Sequence, residues 1–249
     1  MRNRMQDKVV IVTGGSSGLG RATAELMIAE GARVVIVDID SQKGNGVAAE
    51  IGAEFIRVDV GKRSEVDKLV DDVVTRFGSL DVMCNNAGAI AMVPLVDTTD
   101  AEFDRMVAVN LGGVFYGTRA AARVMTKQGH GVIVNTASNG GSSPSEGMAV
   151  YCGTKAAVVA MSKSSAIELA PKGVRVNTIS PGTMLTGMVP DVEGIVDVLD
   201  KLQPVGYAAQ PSEMAAGILY LASDDAAYVT GHDLVVDGGA TAGRAAVGV

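Results

Sequence analysis

Residues that bind metals or form disulfide bridges are scarce in this sequence. Only two cysteines, Cys84 and Cys152, and two histidines, His130 and His232, occur among its 249 residues. A structural zinc site needs four such ligands close together, so we expect no metal centre. In a reducing compartment the two cysteines are expected to be free thiols.

The sequence also lacks clustered positive charge and long apolar runs. Its net charge is −7, and its 21 lysines and arginines form no basic cluster, so we expect no binding to nucleic acid. No apolar run approaches the length needed to cross a bilayer, and residues 1–8 lack the apolar segment of a signal peptide. We therefore expect a cytoplasmic protein without a membrane partner.

Short β-branched runs alternate with helical patterns along the whole sequence. The predicted strands cover residues 8–13, 33–37, 54–58, 80–84, 132–134, 175–179 and 234–236. Because parallel strands require crossover connections, this alternation predicts a largely parallel α/β sheet with helices on both faces, a doubly wound Rossmann-type fold. No linker interrupts the pattern, so residues 1–249 are expected to form a single domain.

The first predicted strand ends in a glycine-rich turn that leads into a predicted helix. Gly14, Gly18 and Gly20 would let backbone N–H groups approach a pyrophosphate, and the helix N-terminus behind them adds partial positive charge. The spacing is G-x-x-x-G-x-G rather than G-x-G-x-x-G. Such a turn is also common in α/β proteins that bind no dinucleotide, so both interpretations are open at this point.

The second predicted strand runs into Asp38, eighteen residues beyond Gly20. At this place a carboxylate is expected to bind the adenosine ribose hydroxyls of NAD and to repel the 2′-phosphate of NADP. Ile39 follows where a basic residue would attract that phosphate. The sequence therefore favours NAD as the cofactor. The alternative is that Asp38 caps the predicted helix over residues 41–51.

Further polar residues follow predicted strand ends, at the edge where open α/β sheets bind ligands. Asp59 with Val60 follows the third strand, and Asn86 follows the fourth. Asn86 is alternatively an ordinary turn former. Asn110 lies inside a predicted helix over residues 98–125, where an amide is unfavourable and requires an explanation.

Tyr151 and Lys155 lie four residues apart in a predicted helix, so their side chains share one face. A free phenol has a pKa near ~10, and a neighbouring ammonium would lower that pKa towards the range useful for general acid/base catalysis. Ser138 follows the fifth predicted strand, thirteen residues before Tyr151. The Tyr-x-x-x-Lys spacing alone is not specific, because it also arises by chance.

Residues 183–210 depart from the regular alternation and mix apolar with acidic side chains. Met184, Leu185, Met188 and Val189 suggest an apolar wall, since methionine adapts to irregular ligands. We predict that this segment forms one or two helices and acts as a lid over a binding site.

Taken in order, these motifs resemble those of the short-chain dehydrogenase/reductase family, in its compact single-domain branch. The resemblance covers nearly the whole chain. The matching positions are the turn at residues 13–20, Asn85-Asn86-Ala87-Gly88, Asn110, Ser138, Tyr151 with Lys155, and Pro181-Gly182. The resemblance implies a nicotinamide cofactor, a seven-stranded parallel sheet and a homotetramer.

The resemblance also implies a role for each matching residue. Tyr151 would be the general acid/base at the substrate oxygen, which Ser138 would orient. Lys155 would lower the pKa of Tyr151 and bind the nicotinamide ribose, and Asn110 would hold a water that links Lys155 to a proton relay. The residues implied to contact the cofactor are Gly14, Ser17, Gly18, Leu19, Gly20, Asp38, Asp59, Val60, Asn86, Tyr151, Lys155, Ile179, Pro181, Gly182, Thr183 and Thr186.

The leading hypothesis is an NAD-dependent oxidoreductase that interconverts a secondary alcohol and a ketone. One alternative is an NADPH-dependent 3-oxoacyl carrier-type ketoreductase, which Asp38 disfavours. Another is a non-catalytic nucleotide-sensing protein, which the intact set of Ser138, Tyr151 and Lys155 disfavours. The expected partners are a small alcohol or ketone and further copies of the chain. Small residues over 120–124 and 156–170 would allow helices to pack closely, either between copies or against the sheet.

Overall fold

Seven β-strands are found in the structure, a computed structural model that describes residues 3–187 and 194–243. They are β1 (Val9–Thr13), β2 (Arg33–Asp38), β3 (Glu54–Arg57), β4 (Val82–Asn85), β5 (Gly131–Thr136), β6 (Val174–Pro181) and β7 (Asp233–Val236). All pair in parallel in the order β3-β2-β1-β4-β5-β6-β7, so the strand order reverses between β1 and β4. The predicted doubly wound, seven-stranded sheet is confirmed.

The strands of the sheet centre consist largely of β-branched residues that are buried on both sides. In β1, Val10 and Val12 pack towards one face of the sheet and Val9 and Ile11 towards the other, and none is more than 3% exposed. Complete burial of such a side chain contributes about 1.5–3 kcal/mol relative to exposure. Continuous apolar runs of this kind favour a sheet that is covered on both faces.

Helices provide that cover. They are α1 (Gly18–Ala29), α2 (Ser41–Ile51), α3 (Arg63–Phe77), α4 (Asp100–Met106), α5 (Val114–Gln128), α6 (Ala149–Leu169), α7 (Ile195–Lys201) and α8 (Pro211–Ala222). Residues of α1, α2 and α8 pack against one face, and residues of α3, α5 and α6 pack against the other. In the described part of the chain, no helix is long and apolar enough to cross a membrane.

The prediction of one continuous α-helix over residues 98–125 is wrong at its middle. A π-helical segment, Val107–Gly113, separates α4 from α5, and Asn110 lies at its middle. Wide turns of this kind inside helices occur frequently at functional sites. The unexplained amide and the break in the helix therefore coincide.

The segment predicted as a lid contains α7 among its described residues. Residues 188–193, which include Met188 and Val189, lie outside the described part of the chain. Met184 and Ala209 form an isolated parallel β-bridge, so the two ends of the segment lie side by side.

Because the strands are parallel, their carboxyl ends meet at one edge of the sheet. Along this edge lie the turn that begins at Gly14 after β1, Asp38 at the end of β2, and Asn86 after β4. Ser138 follows β5 and Pro181 ends β6 at the same edge. Residues that are far apart in the chain are thus brought to one region.

Candidate active site

The turn between β1 and α1 has the shape that a pyrophosphate requires. Gly14 and Gly18 adopt positive φ angles of 65° and 49°, which L side chains rarely adopt. A Cβ added at Gly20 would collide with the carbonyl oxygen of Gly14. The turn therefore exposes backbone at the N-terminus of α1, where N–H groups and the helix dipole favour an anion. The residues present fit the phosphates of a dinucleotide.

Two further residues of this turn were predicted to contact the cofactor. Ser17 is the N-cap residue of α1, and its side chain makes no capping hydrogen bond, so its hydroxyl is not engaged by the helix start. Leu19 is 6% exposed and packs into the core with its side chain. The backbone of Leu19, rather than its side chain, is therefore the part available at the turn.

Asp38 is connected to the glycine turn. Its carboxylate accepts hydrogen bonds from the Ser16 hydroxyl, from the Ser16 N–H at 3.4 Å and from the Ile39 N–H at 2.8 Å. The alternative that Asp38 caps α2 is wrong, because the cap is Asp40, whose Oδ1 accepts from the Lys43 N–H at 3.0 Å. Asp38 lies partly exposed at the ligand edge of the sheet, a position that fits a ribose diol.

Asp59 and Val60 follow β3 at the same edge. The Asp59 Oδ1 accepts from the Gly61 N–H at 3.0 Å, which closes a tight turn. Val60 is 8% exposed and packs against Gly113 of the π-helical segment. A Cβ added at Gly113 would lie 2.9 Å from the Val60 Cγ2. Asp59 is thus partly exposed at the ligand edge, whereas the Val60 side chain is buried.

Asn86 joins three strand ends instead of merely forming a turn. Its N–H donates to the Thr13 Oγ1 at 2.9 Å, and its Nδ2 donates to the Thr13 carbonyl at 3.0 Å. The Thr136 hydroxyl donates to the Asn86 Oδ1 at 3.4 Å. Asn86 therefore fixes the ends of β1, β4 and β5 relative to one another beneath the ligand edge.

The loop after β6 approaches the glycine turn from the other side. The Gly182 N–H donates to the Val236 carbonyl at 2.9 Å, and an added Cβ at Gly182 would lie 2.7 Å from the Asp237 Cα, so no larger residue fits there. A Cβ at Gly18 would lie 3.4 Å from the Thr186 Cγ2, which places Thr186 over the turn.

Three neighbours of that loop complete this side of the site. Pro181 ends β6 and is buried. The Thr183 Oγ1 accepts from the Gln203 Nε2 at 2.9 Å, which connects the loop to the residues after α7. Ile179 was expected beside the nicotinamide, but its side chain is fully buried and packs against Gly217 of α8. Alternation along β6 points it into the core, so its side chain is not part of the site.

Tyr151 and Lys155 occupy the first two turns of α6 and face the end of β5. The Lys155 Nζ donates to the Thr136 carbonyl at 2.8 Å and lies 5.7 Å from the centroid of the Tyr151 ring. The side chain of Ser138 is hydrogen-bonded to the Tyr151 hydroxyl. Ser138 also caps the next turn, since its Oγ accepts from the Gly140 N–H at 3.1 Å. The structure thus brings the three residues together.

Asn110 joins this group through the loop after β4. Its Oδ1 accepts from the Ala89 N–H at 2.7 Å, and its Nδ2 donates to the Ala89 carbonyl at 2.8 Å and to the Thr154 Oγ1 at 3.3 Å. A Cβ added at Gly88 would lie 3.6 Å from the Asn110 Oδ1 and 3.7 Å from the Lys155 Nζ, so the two side chains converge. These contacts explain the amide in an apolar segment, because it fastens the loop to the helix.

Burial changes the acidity of both groups on α6. Burial lowers the pKa of Lys155 to about 8. Burial raises the pKa of Tyr151, and the hydrogen bond from Ser138 partly offsets that rise. We expected Lys155 to lower the pKa of Tyr151. In the structure Ser138 lowers that pKa, and the Lys155 ammonium is bound to the Thr136 carbonyl.

Two residues of the site were missed by the sequence analysis. Thr154 donates to the Tyr151 carbonyl at 2.7 Å and receives the Asn110 amide. Thr136 provides the carbonyl that binds Lys155. Neither has a motif of its own, although Thr154 lies within Tyr-x-x-x-Lys and Thr136 lies at a predicted strand end.

Cys152 adjoins Tyr151 on α6, and a Cβ added at Gly140 would lie 3.3 Å from its Sγ and 3.4 Å from the Ser138 Oγ. Cys84 and Cys152 are free and buried, and burial raises the pKa of the Cys84 thiol to about 12. His130 precedes β5 and therefore lies at the opposite edge of the sheet. Among the described residues, no group of three His, Cys, Asp or Glu side chains could hold a metal ion.

Comparison with known proteins gives matches along almost the whole chain. A family model described as enoyl-(acyl carrier protein) reductase matches residues 14–241. The chain is 42% identical over 251 residues to a 2,5-dichloro-2,5-cyclohexadiene-1,4-diol dehydrogenase of Sphingobium indicum, with 98% of this chain and 100% of that protein covered.

Two further relatives have similar coverage. The 3-alpha-(or 20-beta)-hydroxysteroid dehydrogenase of Mycobacterium tuberculosis is 40% identical over 250 residues, with 98% of this chain and 94% of that protein covered. The cyclopentanol dehydrogenase of Comamonas testosteroni is 38% identical over 250 residues, with 96% and 99% covered. With the doubly wound sheet and the group formed by Ser138, Tyr151 and Lys155, these similarities show that the chain belongs to the short-chain dehydrogenase/reductase family.

Proposed function

We propose that this protein is an NAD-dependent dehydrogenase that interconverts a secondary alcohol and its ketone. The observation that supports this most is the convergence of Ser138, Tyr151 and Lys155 at the sheet edge that also holds the glycine turn. The Tyr151 hydroxyl, which can donate and accept a proton, therefore lies beside a surface shaped for a dinucleotide. The related dehydrogenases support an oxidoreductase that acts on alcohols.

In this proposal the Tyr151 hydroxyl exchanges a proton with the substrate oxygen, which Ser138 holds by a hydrogen bond. When bound, NAD supplies the hydride acceptor and a positive ring charge. Lys155 adds its own positive charge below the phenol and binds the nicotinamide ribose, and both charges oppose the rise that burial causes in the pKa of Tyr151. Asn110 completes the proposed proton relay from Lys155, with its amide fixed by Ala89.

The substrate we propose is an apolar cyclic secondary alcohol. Ile90 and Met92 are exposed on the loop between β4 and α4, and this loop is bonded to the segment before α6 by the Val93 N–H and the Gly147 carbonyl at 2.8 Å. These apolar side chains therefore lie on a loop that is joined to the chain four residues before Tyr151. The names of the relatives include a cyclohexadiene diol, a hydroxysteroid and cyclopentanol, all of which contain rings.

With NAD, we expect kcat/KM to be at least about tenfold higher for cyclopentanol or cyclohexanol than for 2-pentanol, because a preformed apolar pocket discriminates by shape. Initial rates of NADH formation at 340 nm measure this. Equal rates for the cyclic and linear alcohols would contradict the proposed substrate class. The absence of turnover with every alcohol would contradict the enzymatic function and favour a nucleotide-sensing protein.

Asp38 is proposed to select NAD over NADP. We expect Asp38→Ala to raise kcat/KM for NADP about tenfold or more, because it removes a carboxylate that repels the 2′-phosphate. Asp40→Ala is the matched control, since it removes an equal charge two residues away and should leave the ratio of the two cofactors unchanged. Wild-type protein that used NADP as well as NAD would contradict the assignment and support the ketoreductase alternative.

We propose that the chain forms one domain with a lid over residues 183–210, acts in the cytoplasm and assembles as a homotetramer. Ala120 and Ala121 are buried against the sheet, so core packing explains those small residues. Phe103, Phe115 and Ile167 are 50%, 44% and 79% exposed on α4, α5 and α6, and these faces are the proposed contacts between copies. A monomer in sedimentation at micromolar concentration would contradict this assembly.

A further inference from the structure

A cluster of four polar side chains lies deep in the core, beneath the candidate active site. It consists of Asn85, Thr118, Asn135 and Ser162, none of which is more than 5% exposed. We call it the polar cluster. The Asn85 Nδ2 donates to the Asn135 Oδ1 at 2.8 Å, and the Asn135 Nδ2 donates to the Ser162 Oγ at 2.8 Å. The Thr118 hydroxyl lies 3.4 Å from both asparagine side chains.

The members of the polar cluster come from four elements that surround the site. Asn85 and Asn135 are directly opposite each other on β4 and β5, Thr118 is on α5, and Ser162 is on α6. In the chain, Asn85 precedes Asn86, which fixes the strand ends. Asn135 precedes Thr136, whose carbonyl binds Lys155.

Stability does not require polar groups at this place. A net contribution of only about 1 kcal/mol is typical of a buried hydrogen bond, and apolar side chains of the same shape are often equally stabilising. The neighbours of the polar cluster in this layer are apolar, including Met83, Ile133 and Ala166. Apolar side chains can slide past one another, whereas a fully hydrogen-bonded cluster of polar side chains holds the helices and strands that carry it in one relative position.

The position that the polar cluster sets is that of α6 on β5. Ser162 follows Lys155 by seven residues, which is two helical turns on the same face and about 10 Å along the axis. The two elements are therefore joined at two points, by Asn135 with Ser162 in the core and by Thr136 with Lys155 at the site. A shift of α6 along its axis would break both hydrogen bonds together.

We propose that Ser162 and Asn135 are positioning residues for the reaction, because their hydrogen bond sets the axial position of α6 and hence the geometry of Tyr151 and Lys155 against β5. This inference rests on the proposed function. It does not involve the glycine turn or Asp38, which lie on α1, β1 and β2.

The test is Ser162→Ala in the full chain. We expect kcat to fall about tenfold or more, because small misplacements of reacting groups are costly. The KM for NAD should change much less than kcat, because the glycine turn and Asp38 stay in place, and the pH profile of kcat should shift because Lys155 and Tyr151 change surroundings. A crystal structure should show α6 displaced relative to β5, with the distance between the Lys155 Nζ and the Thr136 carbonyl lengthened from 2.8 Å.

Two controls separate positioning from general destabilisation. Ser164→Ala removes an exposed hydroxyl from the same helix and should leave kcat unchanged. Ile218→Val lowers stability from the opposite face of the sheet and should lower Tm without shifting the pH profile. A Ser162→Ala structure in which α6 and Lys155 superimpose on the wild type would overturn the inference, whether or not the protein turns over alcohols. Inactivity of the wild type alone would overturn the proposed function, and the structural comparison would then decide the inference.

Discussion

Tyr151→Phe is expected to lower kcat by roughly 10²- to 10⁴-fold, the contribution typical of a positioned general acid/base. The substitution removes only the hydroxyl that hydrogen-bonds Ser138 and leaves the ring in place. Because the glycine turn and Asp38 lie on other elements, the affinity for NAD should change little. Stopped-time assays and titration calorimetry with NAD measure the two quantities separately.

Tyr228→Phe is the matched control, because the Tyr228 side chain is fully exposed and far along the chain from α6. It should retain full activity. If Tyr151→Phe bound NAD and kept more than about a tenth of the wild-type kcat, the phenol would not be the acid/base, and Ser138 would be the next group to test.

Lys155→Met is expected to lower kcat by about 10²-fold or more and to weaken NAD binding roughly tenfold. In the proposed mechanism the ammonium stabilises the phenolate form of Tyr151, and a hydrogen bond from a charged group to a ribose is worth about 1.5–3 kcal/mol. Lys163→Met removes an exposed ammonium from the same helix and should leave both values unchanged. An active Lys155→Met protein with normal affinity for NAD would remove Lys155 from the proposed mechanism.

The same variant should also change how stability depends on pH. Burial lowers the pKa of Lys155 from 10.5 to about 8, so between these values the unfolded chain binds more protons than the folded one. Stability should therefore be reduced below pH 8 and should rise as the pH approaches 10.5, by on the order of 3 kcal/mol for this group. Lys155→Met should lack this rise.

Denaturant unfolding of wild type and Lys155→Met at pH 7.5, 9 and 10 would measure the difference between their free energies of unfolding. Because the two proteins share all other titrating groups, the contributions of those groups largely cancel in this difference. Repeating it with Tyr151→Phe in both proteins removes the titration of the phenol. A difference in unfolding free energy that stays constant with pH would show that Lys155 titrates as an ordinary exposed lysine, contrary to its 3% exposure.

Much of the candidate site was predictable because its signals are local. Tyr151 and Lys155 share a face because four residues make about one helical turn. Gly14 and Gly18 are glycines because their positive φ angles exclude larger residues. Parallel strands also bring their carboxyl ends to one edge, so residues after several predicted strands were expected together before any contact was known.

Other assignments depended on contacts that no local pattern encodes. Asp38 and Asp40 are both plausible caps for α2, and only the hydrogen bond from Lys43 shows that Asp40 is the cap. The amide of Asn110 inside a helix had no explanation from the sequence. The structure shows that its oxygen accepts from the Ala89 N–H and its nitrogen donates to the Ala89 carbonyl.

The amino-acid sequence by itself determined the order of strands and helices, the glycine turn, the acidic residue at the end of β2 and the helical spacing of Tyr151 and Lys155. These follow from backbone sterics and hydrophobic periodicity, which act over a few residues. Only the tertiary structure decided that Lys155 binds the Thr136 carbonyl, that Ser138 lowers the pKa of Tyr151, and that the polar cluster joins α6 to β5. Those features depend on burial and on partners 13 to 50 positions apart along the chain, which are brought together by how the helices pack on the sheet.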